Sequence, residues 1–168
     1  MIYAYYLLRF NNDRFLKLMI SGCKAMYEMK IQCEATDEAI DFCDLLAEQI
    51  ARFFSVHDRD MFVLSVHEAV INSVAAIRQS GEETEKNTFV LSLRITEEDV
   101  TVTVTDEGSG IPIKQIERMR EKSLEDMLLA ESGRGLLLIK ETMDDIWFER
   151  RENGKCTIAM KMRRGRNG

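Results

Sequence analysis

The chain has 168 residues, of which 45% are apolar and 31% charged, with a formal net charge of −6 at pH 7. That length suits one domain with a sizeable core, and the balance suits a soluble globular protein. The acidic excess argues against a nucleic-acid surface, which needs a clustered basic face; Arg163, Arg164 and Arg166 make only a short basic end, read as a solvated tail over 163–168.

Residues 1–28 begin as an apolar stretch interrupted by Arg9, Asp13, Arg14 and Lys17. No run in it approaches the roughly 18 apolar residues of a membrane span, and it lacks the basic start and clean apolar centre of a secretory signal. It reads either as a helix packing on the domain or on a second copy, or as an upstream extension of a domain that begins near Met29. Lys30 to Glu34 is a short strand. Thr36 followed by Asp37 and Glu38 is a helix start, because an acceptor and early acids suit the unpaired N–H groups and the dipole there. Ile40, Cys43, Leu46, Ala47, Ile50, Phe53 and Phe54 then recur at helical spacing. Asp58 caps a second helix running to about Gln79, with a buried stripe of Phe62, Val66, Ala69, Val70, Ser73, Val74 and Ile77. Gly81 to Asn87 is a charged loop.

Two strands of period two follow: Phe89, Leu91, Leu93 and Ile95, then Val100, Val102 and Val104 alternating with threonines, joined by a hairpin at TEEDV. The stretch 111–132 is too long for a plain loop. A third helix opens at the glycines of SGRGLLLIKETMD, and the last segment reads as a hairpin turning at Asn153-Gly154. Helices alternating in this way with strands of one buried face predict an α+β two-layer sandwich, a mostly antiparallel mixed sheet with helices on one face. The four cysteines, Cys23, Cys33, Cys43 and Cys156, show no CxxC spacing and there are only two histidines, so a structural zinc site is excluded and reduced, buried thiols are expected.

Three motifs carry chemistry. Glu68 and Asn72 are four apart on the second helix and lie on one face, either as solvated polar residues or as a base beside a metal-ligand amide. The second strand of the hairpin ends in Asp106, followed by Gly108, Ser109, Gly110 and the single proline, which suits either a turn or a ligand laid against bare backbone next to an acceptor-only carboxylate. Gly133-Arg134-Gly135 opens a helix whose free N–H groups can hold phosphate oxygens, or is simply a tight turn.

The order of these motifs resembles the GHKL (Bergerat-fold) ATP-binding domains of gyrase and the histidine kinases: "HEAVINSV" looks like the N box, "DEGSG" the G1 box and "GRGLLLI" the G2 box. Within that superfamily the sequence is most similar to the bacterial anti-sigma factor serine/threonine-protein kinases, over about residues 29–162, with 1–28 outside. The resemblance implies bound ATP and magnesium. It makes Asp106 the acceptor for the adenine amine, with Gly108 and Gly110 admitting base and sugar, and Thr157 a support of the adenine site. Asn72 becomes the magnesium ligand, Glu68 the catalytic base, 111–132 an ATP lid, and Gly133, Arg134 and Gly135 the phosphate contacts. Many relatives carry a histidine where Ala76 stands here. His67 is read as an exposed helix residue and His57 as a loop residue.

The function so implied is a cytoplasmic serine/threonine kinase that phosphorylates an anti-anti-sigma (STAS) partner, sequesters a sigma factor and forms a homodimer. Its alternatives are a nucleotide-dependent protein-binding module without efficient transfer, and a detached histidine-kinase-like ATPase domain.

Overall fold

A computed structural model describes residues 2–10, 14–22, 27–79, 87–106, 134–150 and 155–165. They form strands β1 (Ile2–Phe10), β2 (Arg14–Gly22) and β3 (Tyr27–Glu34), helices α1 (Asp37–Phe53) and α2 (Arg59–Gln79), strands β4 (Thr88–Ile95) and β5 (Asp99–Asp106), helix α3 (Arg134–Thr142), and strands β6 (Asp145–Arg150) and β7 (Cys156–Arg163). The seven strands make one sheet in the order β1-β2-β3-β4-β5-β7-β6. This is the expected α+β sandwich, and every described pairing is antiparallel, so the sheet is antiparallel where a mixed one was expected.

Residues 1–28 are a second correction. Their described part is not helical: β1 and β2 are strands that continue the sheet past β3, with Tyr6 opposite Leu18 and Leu18 opposite Ile31. The two runs are rich in Tyr, Phe, Ile and Leu, which favour a pleated surface, and Asn11-Asn12-Asp13 between them is turn-forming sequence.

The core lies between the sheet and its helices. Val100, Val102 and Val104 of β5 are 0% exposed, while the threonines between them stay half-buried on the other face. Thr36 caps α1 by accepting from the Ala39 N–H, and Asp58 caps α2 by accepting from Met61. The whole expected stripe of α2 is buried. By length and composition α2 is apolar enough to cross a membrane, and half of that window is buried inside the fold, as a core helix requires. In α1 the stripe stops short: Cys43, Ala47 and Ile50 are buried, but Phe53 is 80% exposed because the helix ends there and Ser55 turns left-handed at φ 53°. Cys33, Cys43 and Cys156 are buried and form no disulfide among the described residues, as expected of reduced thiols; Cys23 lies outside the described residues.

The basic end is a third correction, because only residues 166–168 of it fall outside the described part and the rest is engaged. Arg163 closes β7 and pairs with Asp144 at 2.6 Å, and its hydrogen bonds hold the Asp144 carboxyl below the usual carboxylate range. Arg164 donates to the carbonyls of Phe54 (2.7 Å) and Thr96 (2.8 Å) and stands 5.6 Å from the centre of the Phe54 ring. It thereby ties the end of α1 to the β4–β5 turn. Arg164→Ala leaves those carbonyls to find new partners and should lower the unfolding free energy by about 1–3 kcal/mol in urea titrations, with the fold retained by circular dichroism.

Candidate functional site

Helix α2 crosses the sheet lengthwise. Just before it, Val56 bridges Arg164, beside the pair Asp99–Arg163. At its far end Arg78 bonds the Ala35 carbonyl at 3.3 Å and the Asp37 carboxylate at 2.8 Å, where β3 finishes at Glu34 opposite Thr88. The neighbouring pair, Phe89 with Asp106, ends β5 at that same edge of the sheet. Helix α3 runs against α2. Its Thr142 hydroxyl lies 2.8 Å from that of Ser65, while its second residue, Gly135, sits against Glu68, further along α2. The sheet agrees: β6 starts at Asp145 opposite Lys161, the partner of Thr101, so α3 finishes at the Thr101 end. With a rise of about 13 Å, its nine residues start towards the Asp106 end. Glu68, in the middle of α2, therefore meets the start of α3, while Asp106 ends β5 at the edge of the sheet towards which α2 and the start of α3 point.

Their environments differ. Asp106 is 5% exposed and projects from the helix-covered face of β5, in phase with Val104. A carboxylate so placed needs donors around it, since burying an unpaired charge is prohibitive. Asn72 is half-buried, and its Nδ2 is enclosed with no hydrogen-bond partner among the described residues. Buried amides are nearly always paired, so this N–H is open to a group outside the described residues. Glu68 is half-buried and its carboxylate lies over Gly135: a methyl group built on Gly135 would strike Oε2 and stand 2.8 Å from Cδ. Arg134, the first residue of α3, is exposed.

Thr157 is not brought to this site. In the β5–β7 ladder it faces Thr105, and the two hydroxyls are 2.9 Å apart on the uncovered face of the sheet. The residue opposite Asp106 is Cys156, buried on the same face. The signal was present in the period of CTIAMKM, where Cys156 is in phase with the buried Ile158, Met160 and Met162. His67 is also placed differently from expectation. Its Nδ1 is 2.7 Å from Asp44 Oδ2 on α1, so it is bonded and half-buried, turned towards α1 while Glu68 turns towards α3. His57 is the loop residue expected. Gly108, Gly110, Gly133 and the stretch 111–132 lie outside the described residues.

Among the described residues no cluster of His, Cys, Asp or Glu has metal-binding geometry of its own. The donor set nevertheless fits a nucleotide with its magnesium. It offers an acceptor-only carboxylate for an N–H of a base, a carboxamide whose oxygen is a hard ligand, and a helix start with no Cβ in the way.

Residues 28–161 match the histidine kinase-like ATPase domain, and the chain belongs to that family, whose domains bind ATP. No curated protein sequence matches it. In fold it is similar to a chain of the crystal structure of the SiaB–SiaC complex from Pseudomonas aeruginosa, with a TM-score of 0.51 and 10% identity over 80% of this chain and 88% of that one. Strands β1 and β2 both precede the matched family segment.

An amide kept unpaired for a ligand should cost stability. Asn72→Leu removes the enclosed N–H at similar volume and should raise the unfolding free energy by about 1 kcal/mol in the protein alone, read from denaturant midpoints.

Proposed function

We propose that this chain is an ATP-dependent serine/threonine kinase of the anti-sigma type, acting on a hydroxyl of a partner protein. The observation that carries the reading is the Glu68 carboxylate lying against the first turn of α3, one helical turn before Asn72 on α2. Bound ATP with magnesium supplies the phosphoryl group and neutralises its charge as it moves. The chain does the rest. Asp106 accepts an N–H of the base, and Cys156 stands opposite it on the same face. The Asn72 carboxamide oxygen holds the cation. The N–H groups opening α3, with Arg134 beside them, offer positive potential to phosphate oxygens. Glu68 takes the proton that a serine or threonine hydroxyl sheds as it attacks. A histidine acceptor needs no such base, because its neutral ring already has a lone pair.

The partner reading rests on the resemblance to anti-sigma kinases, which implies a STAS anti-anti-sigma substrate, a sequestered sigma factor and a homodimer in the cytoplasm. A protein of similar fold has been crystallised in the SiaB–SiaC complex, which supports action on a second protein. Uncovered α1 and β6 side chains, including Leu45 and Trp147, leave surface for one.

The test uses labelled ATP, the protein and purified STAS proteins encoded beside it. Label should appear on the STAS protein as an acid-stable phosphoester. Glu68→Gln should cut the transfer rate by about 10²–10⁴-fold with ATP affinity nearly intact. Acid-labile label on this chain, or a wild-type rate in Glu68→Gln, overturns the reading; tight ATP binding with no transfer leaves a nucleotide-dependent binding module.

Calorimetry addresses the adenine side separately. Asp106→Asn should weaken ADP binding by about 10–100-fold, the value of one lost hydrogen bond to a charged acceptor. Thr157→Val, on the other face of the sheet, should leave it unchanged.

A further inference from the structure

We propose that Gly135 is the positioning residue of Glu68: it lacks a side chain so that α3 forms a seat for the Glu68 carboxylate and sets where that carboxylate points. This deepens the kinase reading and rests on Glu68 being the base. Glycine at 135 is not explained by its own backbone. It is the second residue of a regular helix, outside the left-handed region, where alanine is the better helix former. What alanine would meet is Glu68. Its methyl group would overlap Oε2, lie 2.8 Å from Cδ and 3.3 Å from the Glu68 Cβ. The last contact matters most. A carboxylate can swing aside, but Cβ is fixed to the α2 backbone, so the stem of Glu68 passes directly over the glycine.

The two helices are also tied at the other end of α3. Ser65, 0% exposed and one turn before Glu68, is joined to Thr142 at 2.8 Å, and the Thr142 hydroxyl also lies 2.7 Å from the Leu138 carbonyl. Ala69 on α2 and Leu136, Leu137 and Ile139 on α3 are buried around the crossing. The seat therefore removes rotamers that a free glutamate would sample. Its position in the first turn of α3 places the carboxylate on the favourable side of the helix dipole. A reacting group held in this way keeps its near-attack geometry, which small displacements degrade steeply.

The alternative is that Gly135 is bare only to let phosphate oxygens approach. A melting cycle without nucleotide separates the two. With Glu68 present, Gly135→Ala should lower the melting temperature. In the Glu68→Ala background the same change should raise it by about 2–4 °C, because only helix propensity remains. With ATP and acceptor, Gly135→Ala should reduce kcat by about 10–100-fold. The double variant guards against a single variant that does not fold. Equal temperature shifts in both backgrounds overturn the proposal, as does a wild-type kcat in Gly135→Ala. If the wild type transfers no label, the kinase reading fails while the melting cycle still decides the seat.

Discussion

The packing of α2 across β5 is the constraint on which the rest depends. Nine residues of the helix are buried, and beneath it the β5 valines are inaccessible to solvent. A helix so enclosed has little freedom to rotate, because any turn about its axis would expose core residues or bury charge. Every polar group on it is thereby aimed. His67 meets Asp44 of α1, Ser65 meets Thr142 of α3, and Glu68 meets Gly135. Asn72 keeps an enclosed Nδ2 with no partner among the described residues. A helix chosen only for stability would carry apolar residues at these positions, and the departures cluster where chemistry is proposed.

The two ends of the sandwich are specialised by the same packing. At one end the chain is closed by many short hydrogen bonds. Arg164 spans the end of α1 and the β4–β5 turn, Gly165 donates to the Ser55 carbonyl at 2.6 Å, and Arg163 grips Asp144. Thr96 organises the tight turn between β4 and β5 by accepting from the N–H groups of Glu98 and Asp99. At the other end β5 stops at a buried carboxylate, and α3 begins with a helix start bare of side chain at its second residue. Rigid closure at the first end holds the elements that carry the site at the second, and binding groups sit best on such rigid elements.

Much of this was legible in the residues. The period of two in VTVTVT, the stripe of α2 and the caps at Thr36 and Asp58 each follow from local rules about pleat, helical spacing and unpaired N–H groups, and each was found in place. The order of the N, G1 and G2 boxes pointed to the family that residues 28–161 match. What local pattern left undecided was face and partner. Thr157 and Cys156 are adjacent, and only the register opposite Asp106 shows which of them shares its face. Residues 2–22 carry both helix-compatible spacing and strand-forming side chains, and pairing with β3 settles the matter. Arg164 looks like tail until the α1 carbonyl it reaches, 110 residues earlier in the chain, is seen beside it.

By itself, then, the sequence determined the elements from β3 onward, most of their buried faces and the class of ligand, because these depend on residues close together along the chain. Tertiary structure alone decided that β1 and β2 are strands, that His67 belongs to α1, that Thr157 lies away from the site and that Glu68 rests on Gly135. Each of these is a contact between segments distant in sequence. Their distances are set by how α2, α3 and the sheet pack as a whole, and no periodicity within one element records that packing.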